Sequence, residues 1–375
     1  YLSNATVAAS NSLTIGALGA QRVNLDANVS VSNTGAGDLL LRGDRLEIAA
    51  TATVNSGSGA RTVIKPTTSA RSIGLDDAGK LHVSNDELQR ITAAKALIVG
   101  WEDITGGIEI LDNITLTNPG FVSLINNGSI TASTGKTITT DKLNLHSHGG
   151  SVLLGGDAHA VNTVAGQVAP NQTFSFKAAG ALTIGTVDIN AGINPSAVDV
   201  ASGLVGVESV GLLTVAQNVS GGTTGTVSLV GNGVTLSSGK TLAGQTISLQ
   251  GSAAGAVSLG AGTISAGSSL TVSSGTAVTL GNTTAGSSVT ISGVSGAITH
   301  QAGTTLNTSV LSAVTSGGAI TLGNATNVIA TLASVSSPSG GVTIVDSADG
   351  LYISQAVSAG TGALDIRTAG GGIST

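Results

Sequence analysis

The sequence predicts an all-β fold, a parallel β-helix (β-solenoid), and three observations lead to it. Apolar–polar–apolar triplets occur along the whole chain, for example Leu13-Thr14-Ile15 and Val289-Thr290-Ile291. A period of two with β-branched residues is typical of strands with one buried face. Gly, Ser, Asn, Ala or Thr ends each triplet, so the predicted strands are short and separated by corners. Finally, equivalent triplets recur at intervals near 20 residues, which is typical of a solenoid.

The long-range repeat is clearest in the second half of the chain. Triplets begin at residues 227, 247, 270 and 289, a second set begins at 234, 257 and 278, and Ala-Gly pairs occur at 243, 266 and 285. One such repeat cannot bury its apolar face alone, but stacked repeats can. We therefore expect each strand to pair in parallel with its equivalent in the neighbouring coil. At about 20 residues per coil, 375 residues predict roughly 18 coils.

The other all-β architectures fit the sequence less well. A sandwich or an up-and-down barrel needs hairpin signals between most strands. Asn-Gly and Asp-Gly pairs occur only at Asn127-Gly128, Asn232-Gly233 and Asp349-Gly350. These pairs are too few for so many strands, so the solenoid is favoured.

Composition excludes several other classes of protein. The chain is 41% hydrophobic and 9% charged, which argues against disorder. It has no cysteine, so neither a disulfide framework nor a thiolate metal site can form. The longest apolar run, residues 93–101, contains Lys95 and is too short to cross a bilayer. A net charge of −6 argues against binding to nucleic acid. We therefore expect no nucleic-acid partner and no membrane insertion.

We expect residues 1–375 to form a single continuous β-solenoid rod. Residues 1–208 are more charged and decorated, whereas residues 209–375 are plain, low-charge repeats. Two irregularities are predicted in the decorated part. Ser84 and Glu87 form a capping box, which predicts one short helix near 85–94. The irregular stretch 155–173 is expected to be an extruded loop.

One segment resembles a known family. It comprises RSIGLDDAGKLHVSNDELQRITA (71–93), followed by ALIVG ending at residue 100 and GGIEI ending at residue 110. It resembles a recurring segment of filamentous haemagglutinin-like large exoproteins, which are β-helical bacterial adhesins of the two-partner secretion type. The rest of the chain is similar to that family only in repeat length and composition.

The resemblance implies a right-handed parallel β-helix, an outer-membrane secretion partner, and a role in adhesion or biofilm at the bacterial cell surface or outside the cell. The sequence departs from the family in one respect, because Asn118-Pro119-Gly120 and Asn194-Pro195-Ser196 do not match the Asn-Pro-Asn-Gly-type motifs of its secretion domain. The chain is therefore expected to be a downstream piece of such an exoprotein, or a different β-helical surface protein.

Two motifs could carry binding. Arg42-Gly43-Asp44 is a tripeptide that integrin-type receptors recognise at a loop tip, and it lies at a predicted corner, so it is the candidate adhesive corner. The alternative is an ordinary charged corner. His146 and His148 share one face of a strand, with Asp157 and His159 nearby in sequence, and such groups can ligate zinc. Alternate exposure along a strand explains the histidines equally well, so no metal site and no cofactor is expected.

An enzyme is the least favoured interpretation. Glycoside chemistry needs two facing carboxylates, and the adjacent pairs in this chain are Asp76-Asp77, Asp86-Glu87 and Glu102-Asp103. Helix capping already accounts for the second pair. No groove rich in basic and aromatic residues accompanies them, so we expect no catalysis.

The sequence therefore predicts a secreted or surface-exposed structural rod of a bacterial adhesin, which holds binding elements away from the cell. Its partners would be glycans or proteins of a host surface, a neighbouring cell or the matrix. The main alternative is an extracellular filament subunit that self-associates coil end to coil end, and the third is a polysaccharide-active β-helix enzyme.

Overall fold

The computed structural model describes residues 2, 4–16, 22–75, 80–187, 198–200 and 203–375. It divides into two compact units. Unit 1 comprises Tyr1–Ala179 with Gly185–Ala197, and unit 2 comprises Gly180–Ile184 with Val198–Thr375. The predicted fold class is confirmed, because the regular secondary structure of the described residues is almost entirely parallel strands, which stack as a β-solenoid of about 16 turns.

The number of turns is lower than the roughly 18 expected because several turns are longer than 20 residues. Leu13, for example, pairs with Leu39, which is 26 residues further along the chain. Whether the whole chain is one continuous rod stays a prediction.

Unit 1 contains nineteen described strands and one helix. They are β1 (Thr6–Ala9), β2 (Leu13–Gly16), β3 (Arg22–Leu25), β4 (Ser30–Asn33), β5 (Leu39–Arg42), β6 (Arg45–Ile48), β7 (Thr53–Ser56), β8 (Arg61–Lys65), β9 (Ile73–Leu75), β10 (Leu81–His82), α1 (Asn85–Gln89), β11 (Ile91–Ala93), β12 (Ala96–Gly100), β13 (Ile108–Ile110), β14 (Ile114–Thr115), β15 (Val122–Asn126), β16 (Ile130–Ala132), β17 (Ile138–Ser147), β18 (Val152–Val168) and β19 (Thr173–Ala178).

The strands of unit 1 stack on three sides of the solenoid. The first sheet contains β1, β4, β7 and β11. The second sheet, here called the β12 sheet, runs through β2, β5, β8, β12, β15 and the second halves of β17 and β18. The third side begins with β3 and β6 and continues with β9, β13, β16, the first part of β18, and β19.

The strand order on the third side departs from the chain order at one place. Strand β9 pairs with β13 on one edge and with β10 on the other, although β10 follows β9 in the sequence. Leu81 pairs with Ile73 in parallel, an offset of only eight residues. In the stack, β9 therefore lies between β10 and β13, so β10 comes before β9 although it follows it in the sequence. This exchange occurs within the segment that resembles the exoproteins.

The predicted helix is confirmed, but it is shorter than expected. Ser84 is the N-cap residue of α1, and both hydrogen bonds of the capping box are present. The Glu87 carboxylate also accepts a hydrogen bond from the backbone N–H of Ile48 at 3.0 Å, which ties the helix to the preceding turn. The helix ends at Gln89 because the β-branched Ile91 starts a strand that pairs with β7.

The extruded loop expected over 155–173 is corrected for residues 155–168, which belong to strand β18. This strand pairs with β17 along its second half and with β19 near its start. The side chains of His159, Val161 and Val164 are buried, so residues of this segment contribute to the packed interior and do not protrude from it. Few inward positions in the sequence favour a loop here, but Gly155 and Gly156 let one strand bend around the solenoid. A turn follows at 169–172.

The regular secondary structure of unit 2, in its described residues, is all β-strand. They are β20 (Leu182–Ile184), β21 (Val198–Val200), β22 (Leu204–Ser209), β23 (Leu212–Val215), β24 (Val219–Ser220), β25 (Thr226–Gly231), β26 (Gly233–Leu236), β27 (Thr241–Gly251), β28 (Val257–Ser258), β29 (Thr263–Ser273), β30 (Val278–Leu280), β31 (Asn282–Val294), β32 (Ile298–His300), β33 (Leu306–Thr315), β34 (Ile320–Leu322), β35 (Val328–Ser336), β36 (Val342–Ile353), β37 (Val357–Ser358) and β38 (Leu364–Ser374).

The repeat register predicted for unit 2 is confirmed. Val227 pairs with Ile247, Ile247 with Leu270, and Leu270 with Val289. These side chains are fully buried and form an interior column. The second set of triplets, beginning at 234, 257 and 278, is likewise in register. The Ala-Gly set is in register only in part. Ala266 pairs with Ala285, but it pairs with Gly244 instead of Ala243, and the register shifts directly after Gly244.

Hydroxyl groups connect successive turns at one corner of unit 2. The Ser337 Oγ donates a hydrogen bond to the Gly318 carbonyl oxygen at 2.6 Å, and the Thr315 Oγ1 donates to the Gly296 carbonyl at 2.6 Å. The same hydroxyls accept from backbone N–H groups three residues further along, in Gly340 and Gly318 respectively. Each buried hydroxyl thus satisfies two backbone groups at a corner where the strand ladder is interrupted.

The described part of the chain has no helix of the length and apolar character needed to cross a membrane.

Candidate functional site

The β12 sheet of unit 1 is the part of the molecule where outward-facing side chains depart most from the expected polar pattern. One outward position on each strand is in register with the next. We call this set the outer column: Leu40, Val63, Ile98, Ser123, Asn144 and Ala165. From Val63 to Ala165 these side chains are buried. The sheet is therefore buried on both faces over most of its turns.

The outer column is the centre of a second hydrophobic cluster, on the other side of the sheet from the solenoid interior. Phe121, Ile125 and Val187 are buried against it, and Trp101 packs at its edge while partly exposed. Burial of these side chains stabilises the outer face in the same way as the interior columns. This face therefore holds a covering layer, and it is not a plain solvated surface.

Two polar side chains interrupt the apolar outer column. The Asn144 Nδ2 donates a hydrogen bond to the Ser123 Oγ at 2.6 Å, and both residues are fully buried. On the same strand as Ser123, the Asn126 Nδ2 donates to the Gly106 carbonyl at 2.9 Å. The Oδ1 atoms of both asparagines lack a hydrogen-bond partner. Buried polar pairs of this kind fix one register between neighbouring strands, because a shifted register would leave both groups unsatisfied.

A histidine pair, His146 and His148, follows Asn144 along the chain. The rings of His146 and His148 stack with their centroids 4.0 Å apart. The Glu102 carboxylate is 3.9 Å from the His148 Nε2. His146 is buried, and its Nδ1 has no hydrogen-bond partner. The predicted sharing of one strand face by the two histidines is thus confirmed, and Glu102 joins them from the turn after β12.

Burial, with a smaller contribution from His148, lowers the pKa of His146 from 6.5 to about 4. The folded protein therefore keeps this imidazole neutral under conditions where the unfolded chain binds a proton. The resulting stabilisation is complete above pH 6.5 and is lost as the pH falls towards 4. A shift of this size corresponds to a loss on the order of 3 kcal/mol.

The outer column continues into an open cleft at the first turns of unit 1. Thr14, Leu40 and Val63 are consecutive members of one register position on β2, β5 and β8. They form the floor of a cleft of about 200 Å³, and Ser12, Asp38, Lys65 and Trp101 complete its lining. The Trp101 indole lies at the boundary between the covered part of the sheet and the cleft.

Two ion pairs flank this cleft. The Arg61 guanidinium binds Asp38 through two hydrogen bonds, from Nε at 2.7 Å and from Nη2 at 2.5 Å. The Lys65 Nζ is 2.8 Å from the Asp103 carboxylate. Each charged group of the lining is thus neutralised by a partner, and its position is fixed. The cleft offers an apolar floor and tryptophan beside polar groups that can both donate and accept hydrogen bonds.

The candidate adhesive corner Arg42-Gly43-Asp44 requires a correction. Asp44 is 4% exposed, and its carboxylate accepts hydrogen bonds from the Thr67 N–H and from the N–H and hydroxyl of Thr68. Gly43 is also buried, and only Arg42 is exposed. The carboxylate therefore holds the next corner of the solenoid together and is not presented to a receptor.

The electrostatics of Asp44 agree with this structural role. Burial by itself would raise the pKa of Asp44. The hydrogen bonds from Thr68 and Thr67, together with the charge of Arg71, outweigh that effect, so the pKa lies below 3.8. The stabilisation that results is present above pH 3.8 and is lost as the pH falls through the lower, folded-state pKa.

His159 and Asp157 do not join the histidine pair. The His159 Nδ1 accepts a hydrogen bond from the Ile138 N–H at 3.0 Å, and its Nε2 lies 3.1 Å from the Leu154 carbonyl oxygen. Asp157 instead accepts from the Gly135 N–H. Among the described residues no group of three or more His, Asp or Glu side chains is arranged to hold a metal ion.

The carboxylate pairs considered for catalysis serve other purposes where the structure describes them. Asp86 and Glu87 lie in the first turn of α1, and Glu87 completes the capping box. Glu102 and Asp103 follow β12 and contact His148 and Lys65. Asp76-Asp77 lies outside the described residues. The enzyme interpretation stays an untested alternative.

The sequence reasoning missed the cleft. Its residues come from four separate segments, and their assembly depends on the register between turns. One signal was available, because Trp101 is the single tryptophan of a chain with 2% aromatic residues and directly follows an apolar strand. No family model, curated protein or solved structure matches this chain.

Proposed function

We propose that this chain is a structural solenoid of a bacterial adhesin, secreted or exposed at the cell surface, which carries binding elements and performs no catalysis. The observation that supports the proposal is the parallel stacking of strands through each unit, with continuous interior columns of Val, Ile and Leu. Its resemblance over residues 71–110 to filamentous haemagglutinin-like exoproteins is the basis for the secretion and adhesion part of the proposal.

The stacking suits a mechanical role. An inner strand such as β29 is hydrogen-bonded to β27 on one edge and to β31 on the other. Bending or extending such a stack requires many backbone hydrogen bonds to break together. In this proposal the partners are glycans or proteins of a host surface, a neighbouring cell or the matrix, and an outer-membrane protein exports the chain.

The location can be tested on intact cells. An antibody raised against the purified chain should label the producing cells without permeabilisation, or should detect the protein in the culture medium. Permeabilised cells serve as the matched control. Labelling that requires permeabilisation, together with a medium free of the protein, would contradict the proposal.

The alternative is an extracellular filament subunit, in which a coil end of one copy stacks on a coil end of another. Strand β38 pairs with β36 along one edge, and its other edge has no partner strand among the described residues. Leu364 and Ile373 on this strand are about half exposed, at 52% and 45%. An open strand edge with apolar neighbours accepts a further rung, either from the same polypeptide or from a second copy.

Sedimentation velocity at rising protein concentration separates these possibilities. A filament subunit should form species that grow with concentration, and Ile373→Lys should suppress them. Leu212→Lys is the matched control, because Leu212 is equally exposed but lies on β23, which pairs on both edges. A single concentration-independent species would rule the filament out.

A further inference from the structure

We propose that the Trp101 cleft of unit 1 binds a neutral sugar ring. This inference deepens the proposed adhesive function and rests on it for its biological meaning, because it names the ligand class and the place of contact. The binding itself can be measured on the purified chain.

The floor of the cleft suits the less polar face of a sugar. Leu40, which is partly exposed, supplies aliphatic surface beside the buried Val63, and the Trp101 indole lines the same space while remaining partly exposed. An aromatic side chain contributes a large contact area and loses little conformational freedom on binding. Ring C–H groups of a pyranose pack well on such a surface.

The polar lining suits hydroxyl groups. The Ser12 and Thr14 hydroxyls are exposed at the cleft and can donate or accept hydrogen bonds. The Asp38 carboxylate accepts, and the Lys65 ammonium donates. Arg61 and Asp103 hold these two groups in place, so little conformational entropy is lost when a ligand binds.

The charge balance favours a neutral ligand over an ionic one. Asp38 is paired with Arg61, and Lys65 is paired with Asp103. A charged ligand would compete with these pairs and leave one partner unsatisfied. A hydroxyl group can instead donate to the Asp38 carboxylate or accept from the Lys65 ammonium without breaking either pair.

The size of the cleft limits the ligand. A volume of about 200 Å³ is below the range of roughly 300–1,000 Å³ that is typical of sites for drug-sized molecules. The cleft is open to solvent along one side, so one sugar ring can sit in it while the rest of a longer glycan extends outside.

Intrinsic fluorescence provides the test, since Trp101 is the only tryptophan in the chain. The purified chain is titrated with glucose, galactose, mannose, fucose and N-acetylglucosamine, and with glucuronate and glucosamine as charged comparisons. Isothermal titration calorimetry checks each response. We expect a saturable change in Trp101 emission, with matching heat, for at least one neutral sugar and a weaker response to its charged counterparts.

Thr14→Arg places a long side chain over the floor and leaves the reporter intact, because Thr14 is exposed on β2. It should weaken binding by about tenfold or more, equivalent to about 1.4 kcal/mol. Thr53→Arg is the matched control, because Thr53 is also exposed, lies on β7, another strand of unit 1, and does not line the cleft. This variant should bind as the unchanged chain does.

Three results would overturn the inference: no neutral sugar of the panel binds, only charged sugars bind, or binding survives Thr14→Arg. Failure of the proposed function is distinguishable from each of these. A chain confined to the cell interior contradicts the adhesin proposal even if sugar binds, whereas a surface-exposed chain that ignores every sugar contradicts only the assignment of the cleft.

Discussion

The corner hydroxyl of Ser337 should contribute measurably to the stability of unit 2. Its side chain is fully buried and connects two turns, donating to the Gly318 carbonyl at 2.6 Å and accepting from the Gly340 N–H at 3.1 Å. Ser337→Ala removes both hydrogen bonds. The alanine methyl group cannot replace them, and the surrounding backbone is held by the strand ladders on either side.

The size of the effect follows from the burial of the two groups. An unsatisfied buried polar group costs about 1–3 kcal/mol, and a typical hydrogen bond contributes about 1 kcal/mol net. Gly318 and Gly340 are half-buried, so water can partly compensate. We therefore expect Ser337→Ala to lower the free energy of unfolding of unit 2 by about 2–3 kcal/mol.

Two variants make the comparison specific. Ser339→Ala removes a hydroxyl only two residues away, which also donates to a glycine carbonyl, that of Gly317 at 2.8 Å, but in an exposed position. Its cost should stay within about 0.5 kcal/mol. Ser337→Thr should retain most of the stability, because Thr315 makes the equivalent hydrogen bonds one turn earlier.

Urea denaturation followed by far-ultraviolet circular dichroism gives the free energies. Hydrogen exchange shows whether the loss is local, since the Gly340 amide should lose protection in Ser337→Ala. Tryptophan fluorescence is unsuitable here, because Trp101 belongs to unit 1. If Ser337→Ala and Ser339→Ala are equally stable, the buried hydroxyl does not connect the turns as we have argued.

Three further predictions concern other parts of the chain. Gly318→Ala would place its Cβ 2.2 Å from the Gly296 backbone carbon, so it should cost about 2 kcal/mol or more in urea denaturation. Gly323→Ala, whose nearest contact is 3.6 Å, should cost under about 1 kcal/mol in the same assay, and equal losses in the two variants would contradict the prediction. His146→Gln should reduce the slope of the free energy of unfolding against pH, between pH 6.5 and 4, by the equivalent of close to one proton. Urea denaturation followed by Trp101 emission measures this slope, and an unchanged slope would show that His146 is not kept neutral. Asp44→Ala should destabilise unit 1 by about 2 kcal/mol, because it leaves the Thr67 and Thr68 N–H groups unsatisfied; a similar loss in Arg42→Ala, where the side chain is exposed, would argue against this assignment.

The sequence predicted strands of unit 2 better than those of unit 1, and the reason is physical. In unit 2 successive turns repeat the same inward triplets, such as Ile247-Ser248-Leu249 over Leu270-Thr271-Val272. Local alternation and the long-range period therefore predict the same strands and the same pairing. In unit 1 the α1 insertion and the exchanged order of β9 and β10 interrupt the period. No local pattern reveals that β9 lies between β10 and β13.

The prediction from apolar–polar alternation failed at the outer face of the β12 sheet. We expected polar outward positions, but the runs Ala96–Val99 and Phe121–Ile125 are almost continuously apolar. Continuous apolar runs are typical of strands buried on both faces. That signal was present in the sequence. It did not, however, indicate what covers the second face or where the cover ends.

The tripeptide Arg42-Gly43-Asp44 illustrates a different limit. Its position at a corner was evident from the flanking strands, but the availability of its carboxylate depends on Thr67 and Thr68, which reach it only when the next turn stacks above. Residues separated by a whole turn become neighbours through register, and register is a property of the stack.

The order of apolar, polar and glycine residues along the chain was sufficient to specify the solenoid, because the pairing of each strand follows from a repeat that can be counted. The capping box and its helix were equally local, since they involve residues three positions apart. Tertiary structure alone decided which side chains from different turns share a surface. The cleft beside Trp101, the histidine pair with Glu102 and the anchoring of Asp44 all arise from contacts between turns, whose alignment is set by the summed packing of many strands.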